Sequence, residues 1–276
     1  MRVKNLTVVV FVSIVVALVV FSLFRGMGFS VLFNPDALII VVGGTIIGMM
    51  LGFPVERLKT TYNDIVKSFK DKTTKESLIE EILEMARINR NAGIRAFEKA
   101  IDDIKDDFLK FGANLIVNNY SEKQIKEIME RQMTAIIINQ SFSQNVLRTL
   151  ARLMPSLGLA GTVVSLIKMF KDFGSVETLA PLMAVALMST FYGVVLANMA
   201  ALPLCAKLRE KSIKSGSMMI IAIEGISAIC NVEHPLKIEE RLRGFEETAE
   251  ASLLSMPAKR VFLGRKYNAV HAGGIR

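Results

Sequence analysis

The chain has 276 residues, a formal net charge of +8, 51% hydrophobic residues and only 22% charged ones, with a mean hydropathy of +0.41. A soluble domain of this length carries more charge and less aliphatic bulk, and here the apolar residues are clumped into long runs, which is the membrane pattern. Lys and Arg are spread among nearly as many Asp and Glu, which disfavours a nucleic-acid partner, and Cys205, Cys230, His234 and His271 show no disulfide or metal-ligand spacing.

The first apolar run, residues 6–23, contains no charge. Arg2 and Lys4 before it imitate a signal peptide, but no small-x-small cleavage site precedes Arg25, so a retained helix is expected. The second run, residues 37–53, is opened by Asn34, Pro35 and Asp36 and closed by Pro54. With its flanks it is long enough for a hydrocarbon core of about 30 Å at roughly 1.5 Å per residue. Gly43, Gly44, Gly48 and Gly52 predict close helix contacts along it, Gly48 and Gly52 forming a GxxxG.

From Glu56 to Arg148 charges of both signs alternate with apolar residues at helical spacing, as in Leu78, Ile82, Met85 and Ile88, then Ile125, Ile128 and Met129. Several amphipathic helices are predicted, with breaks at Gly93, Gly112 and Asn118–Asn119. Apolar runs three and four, residues 150–170 and 176–204, are joined by the short loop "KDFGSVE", and polar helical sequence resumes from Lys207. Pro155, Pro181 and Pro203 are expected to interrupt or start these helices. Together with Gly158, Gly161 and Gly193 they suggest that runs three and four line something polar or movable.

The central block and the tail hold most of the Lys and Arg, so both are assigned to the cytoplasm, and four spans then place both termini there. The predicted organisation is residues 1–54 for spans one and two, 55–148 for a cytoplasmic helical domain, 149–206 for spans three and four, and 207–276 for C-terminal helices and tail. The fold class is therefore an all-α membrane protein of four transmembrane helices with a large cytoplasmic helical domain.

No Asp, Glu or His lies well inside any of the four apolar runs; Asp36, Asp172 and Glu177 are at their edges. Ion-coupled machines keep a titratable group at membrane depth, so a relay acid must come from a partner. The hydroxyls of Thr162, Ser165, Ser189, Thr190 and Tyr192 can line a hydrated path, although Ser and Thr also bond their own helix carbonyls.

At "MPSLGLAGTVVSLIKMF" and "ETLAPLMAVALMSTFYGVVLANMAALPLCAKLREKS" the chain resembles the MotA/PomA family of flagellar stator A subunits. The resemblance rests on Pro155, Gly158, Gly161, Thr162, Pro181, Met183, Ala184, Val185, Thr190, Tyr192, Gly193 and Pro203, with support from "VVGGT", from the stretch around Arg90 to Glu98, and from the tail "AIEGISAICNVEHPLKIEERLRGF". It covers nearly the whole chain. It implies a ring of A subunits, five in the family picture, in the bacterial inner membrane around a pair of MotB/PomB-type B subunits that carry the missing aspartate. It also implies that Pro155 and Pro203 are functional prolines, that Thr162 and Thr190 face the aspartate, and that Arg90 and Glu98 engage the rotor switch protein FliG. Lys99 and Ser165 depart from the family pattern. Thr162 with Thr190 leans the coupling ion toward Na+ over H+, and no cofactor or metal site is expected.

An energy-coupling subunit of the ExbB/TolQ type is the nearest alternative, disfavoured by the two apolar runs ahead of one polar block. A solute transporter lacks the expected inverted repeats. An enzyme lacks a nucleophile–base pair, a phosphate loop or a ligand cluster.

Overall fold

The computed structural model describes residues 33–70, 74–171 and 176–244. The first predicted span, residues 6–23, and the tail after residue 244 lie outside them. Every regular element among the described residues is helical. In chain order these are α1 (Pro35–Gly52), α2 (Val55–Lys70), α3 (Lys75–Ala92), α4 (Ile94–Ala100), α5 (Asp107–Val117), α6 (Glu122–Lys171), α7 (Val176–Leu196), α8 (Leu202–Cys230) and α9 (235–244). Among the described residues three helical stretches are long and apolar enough to cross a membrane: α1, α6, and the run Leu179–Cys230 that joins most of α7 to α8. By its contacts the chain divides into two units, residues 1–52 with 148–202, and residues 53–147 with 203–276.

In the first unit, α1 begins as its sequence predicts. The Asn34 side chain accepts the Ala37 N–H at 3.1 Å, and Pro35 occupies the first turn, where its missing N–H costs nothing. Gly44 and Gly48 lie against leucines of α6: a Cβ on either would stand 3.2 Å from Leu157 or Leu153. Gly43 and Gly52 meet nothing within 4 Å among the described residues, so the predicted contact register shifts from Gly48–Gly52 to Gly44–Gly48. The reason is geometric, since residues four apart share a face and the α6 leucines select the earlier pair.

Pro155 and Pro181 sit inside continuous helices rather than interrupting them. Pro155 lacks the N–H that the Ala151 carbonyl would otherwise receive, and helices at membrane depth tolerate this when neighbours or local re-bonding satisfy the carbonyl. A π-helical turn, Ala197–Ala201, separates α7 from α8, and the Leu202 N–H reaches back five residues to the Ala197 carbonyl. Pro203, the next residue, starts the α-helical ladder afresh.

The second unit is a helical domain with an apolar core. Leu78, Ile82 and Met85 of α3, Phe97 of α4, Leu109 of α5, Ile125 and Met129 of α6, and Ile221, Ile226 and Ile229 of α8 are buried together. The helical spacing read from the sequence thus becomes one inward face on each helix. Gly93 breaks the chain as predicted, at φ 75°. Asn119, at φ 59°, ends α5: its N–H bonds the Ile116 carbonyl at 2.9 Å, and that of Tyr120 bonds Leu115 at 3.2 Å. That is the paired hydrogen-bond pattern of a left-handed helix stop. Gly112 is not a break. It lies buried within α5, where a Cβ would come within 2.6 Å of the Met129 methyl.

Two substitutions in this unit have opposite expected signs. A Cβ at Gly225 would approach Ile82, itself fully buried, at 2.7 Å. Gly225→Ala should lower stability by about 1–3 kcal/mol, and combining it with Ile82→Ala should cost less than the two single changes summed. Val232 ends α8 in the left-handed region at φ 52° while half exposed, a conformation that costs an L-residue roughly 1–2 kcal/mol. Val232→Gly should raise stability by about 0.5–1 kcal/mol, net of the added chain entropy. Thermal unfolding of the detergent-solubilised protein measures both, and an unchanged midpoint for either refutes that assignment.

Candidate functional site

The predicted hydroxyls meet on facing helices. Thr162 of α6 and Thr190 of α7 are joined Oγ1 to Oγ1 at 2.6 Å. The Thr162 hydroxyl also lies 3.0 Å from the Ala186 carbonyl and 3.1 Å from that of Gly158. Each hydroxyl holds one proton, so the consistent arrangement has Thr190 donating to Thr162 and Thr162 donating to one of the two carbonyls. Three oxygens thereby lie within hydrogen-bond reach of the Thr162 hydroxyl between two apolar helices. Both threonines are only partly buried.

Glycines allow this approach. A Cβ on Gly158 would stand 2.7 Å from the Ser189 carbonyl, one on Gly193 2.6 Å from the Met154 carbonyl, and one on Gly161 2.8 Å from the Ser189 hydroxyl. The first two obstacles are backbone and cannot swing away. Ser189, fully buried, turns its hydroxyl back to the Val185 carbonyl at 2.8 Å. The glycines read as signs of a movable or polar lining are thus the close-contact seam that sets the hydroxyl distance.

Tyr192 contributes differently from its expected place among the lining hydroxyls. Its phenol oxygen accepts the Asn34 backbone N–H at 2.9 Å, tying α7 to the start of α1. The cue in the sequence was Asn34 itself, a helix-capping residue whose own N–H points away from the helix it caps.

Away from this seam the helices show apolar side chains outward: Leu159, Val163, Ile167 and Phe170 on α6, Met183, Leu187 and Val194 on α7, and Ile46, Ile47, Met50 and Leu51 on α1 are exposed. Exposed apolar side chains in this number on three helices suit contact with lipid or with other subunits. Among the described residues no group of three or more His, Cys, Asp and Glu could hold a metal ion.

Pro155 lies on α6 in the same unit as the hydroxyl pair, and Pro203 belongs to the other unit. Arg90 and Glu98 are also in that second unit. Arg90 is in the last turn of α3, and Glu98 is on α4, next to the fully buried Phe97 that anchors the short helix. Both are exposed and neither has an ion-pair partner among the described residues. Gly93, whose left-handed φ is accessible to glycine at no steric cost, fixes the turn between them.

The MotA/TolQ/ExbB proton channel family model matches residues 100–219. Motility protein A of Bacillus subtilis (strain 168) is 29% identical over 247 residues, covering 88% of this chain and 87% of its own length. Motility protein A of Aquifex aeolicus (strain VF5) is 31% identical over 226 residues, covering 81% of this chain and 89% of its own. The flagellar MotAB stator complex from Bacillus subtilis contains a chain that superposes with a TM-score of 0.75 at 27% identity, over 89% of this chain and 98% of that one. Likeness of this extent, across spans and polar domain alike, places the chain in the MotA/PomA family of flagellar stator A subunits.

Proposed function

We propose that this chain works as the A subunit of a flagellar stator, forming with a B-type subunit an ion channel whose flux drives torque on the rotor. The observation that carries the mechanism is a hydroxyl-lined helix contact without an acid of its own. Thr162 and Thr190 supply oxygens at 2.6 Å from one another, while the four apolar runs contain no interior Asp, Glu or His. An ion path through hydrocarbon needs a titratable group, so the acid comes from the partner. The B-subunit aspartate would face the Thr162–Thr190 pair. The likeness to a chain of the Bacillus subtilis MotAB stator complex supports this partner. The family is one of channels, and the chain acts by transport and torque rather than as an enzyme.

Four spans, with residues 6–23 as the first, put both termini in the cytoplasm of a cell whose inner membrane holds the complex. Five copies would ring two B subunits, and the outward apolar faces of α1, α6 and α7 supply the surface such a ring and its lipid require. Arg90 and Glu98, exposed and without an ion-pair partner among the described residues, suit a contact with FliG that must form and break repeatedly, since exposed ion pairs are individually weak yet steer association. Pro155 and Pro203 each lack the N–H that would complete the ladder at their positions, in helices that would have to shift when the acid changes charge.

Deleting the gene in a strain without a second stator set should leave flagella assembled and swimming abolished; normal swimming would refute the stator reading. Arg90→Glu or Glu98→Lys should reduce swimming several-fold with the membrane level of the protein unchanged, because surface substitutions shift stability by only about 0.5 kcal/mol. Disappearance of the protein from membranes would instead assign these residues to folding.

Na+ is the proposed coupling ion, since a dehydrating cation needs several oxygens and the Thr162 cluster offers four. Swimming speed at fixed pH should rise with sodium concentration, and Thr162→Ala should weaken that dependence. Speed independent of sodium would assign the motor to protons.

A further inference from the structure

The second unit carries a groove of about 1090 Å³ bounded by α3, α5, α6 and α8. It exceeds the roughly 300–1,000 Å³ of a small-molecule pocket. Its lining includes six carboxylates against three lysines, Lys105, Lys211 and Lys214, in a chain whose net charge is +8. Glu80 and Glu84 stand four residues apart on the same exposed face of α3, and Asp103 and Asp107 line the same groove ahead of and at the start of α5. None of these four has an ion-pair partner among the described residues. Like charges one helical turn apart destabilise each other unless a cation lies between them. The floor is apolar: Met85, Phe108, Met218 and Met219 are nearly buried yet line the groove. Methionines and a phenylalanine below a carboxylate rim form a surface for an extended segment that is both basic and apolar.

The chain contains such a segment. After Glu250 there is no further Asp or Glu, and Lys259, Arg260, Arg265 and Lys266 flank Val261, Phe262 and Leu263. We propose that this groove is the seat of the chain's own basic tail segment, residues 259–266, held by its cations on the Glu80–Glu84 rim and by its apolar centre on the methionine floor. Fourteen residues, 245–258, separate the segment from the last described residue, Gly244. Extended, they reach roughly 46–50 Å at 3.3–3.6 Å each, far enough for any face of a domain of this size. The preceding helix α9 holds this tether to the same domain, because Ile238 and Leu242 are fully buried in the core that includes Met85, Phe108, Met218 and Met219. Exposed ion pairs are weak singly. A tethered segment meets its groove at an effective concentration of about millimolar, at which several weak contacts suffice.

The test is disulfide trapping in the full chain within its native membrane, with Cys205 and Cys230 replaced by Ser. Ser77→Cys at the groove rim is paired with Leu263→Cys in the tail; Gln132→Cys on the opposite wall replaces Ser77→Cys if that variant fails to reach the membrane. The expected result is an efficient cross-link within one chain, reduced at least five-fold by Glu80→Lys with Glu84→Lys. Adding Lys259→Glu and Arg260→Glu to that charge-reversed chain should restore it. The proposal is overturned if the cross-link is absent in protein that inserts normally, or if its yield ignores the charge reversal. It is equally overturned if the link joins differently tagged copies, which would make the groove a contact between neighbours, or if Leu263→Cys is shielded from aqueous maleimide only by anionic lipid.

Discussion

The distance between α6 and α7 is set by backbone meeting backbone, and the candidate ion path depends on it. Gly158 faces the Ser189 carbonyl and Gly193 faces the Met154 carbonyl at separations that leave no room for a methyl group. The hydrogen bond between Thr162 and Thr190 is a consequence of this approach and not its cause. Interhelical hydrogen bonds in membranes contribute about 0.6 kcal/mol on average, whereas forcing a side chain into packed backbone costs roughly 1–3 kcal/mol. Sterics therefore decide the geometry, and the hydroxyls occupy a spacing that the glycines have already imposed. This division leaves the oxygens available, because a contact held by close packing does not need them as its fastening.

How much of this could be read from the residues depends on which physical signal carried it. Periodicity carried the second unit well: Leu78, Ile82 and Met85 are buried together on α3, as are Ile125 and Met129 on α6, since a 3.6-residue repeat has one solution in water. Chemistry at chain breaks was legible at Asn34, Gly93 and Asn119, where a cap or a positive φ demands a particular residue. Glycine in an apolar helix was not, because its two uses leave the same letter. Gly112 reads as a break and is a contact under Met129; Gly52 reads as a contact and meets nothing among the described residues. Only the partner surface distinguishes them, and that surface lies far away in sequence. The chain extends the same point to Tyr192, whose bond to Asn34 spans 158 positions.

The threonine pair was legible by residue type and not by role. A hydroxyl in a membrane helix bonds its own carbonyl four residues back in most settings, and Thr45 and Ser189 do so here. Thr162 keeps that option with Gly158 but adds Ala186 and Thr190 across the interface. The difference lies in the neighbour: α7 brings a second hydroxyl and a carbonyl to the same point because Gly193 lets it. A motif of spaced glycines and threonines is informative only as a unit, since neither member predicts the contact without the other.

Hydrogen-bond accounting connects the seam to motion. In hydrocarbon an unpaired backbone group costs several kcal/mol, so a helix bends most cheaply where its ladder is already irregular. In the first unit these places are Pro155, Pro181 and two π-helical turns, Ile39–Gly43 in α1 and Ala197–Ala201 after α7. A π turn holds an extra residue within the ladder and can pass it along by exchanging one acceptor for the next, with no bond left open. The Leu202 N–H, paired five residues back with Ala197, stands immediately before Pro203, which has no N–H to exchange. The proline therefore limits how far the irregularity can travel toward α8. A rigid glycine-set contact bordered by two adjustable turns is an arrangement in which a charge change at one point can move a helix without opening its backbone to lipid.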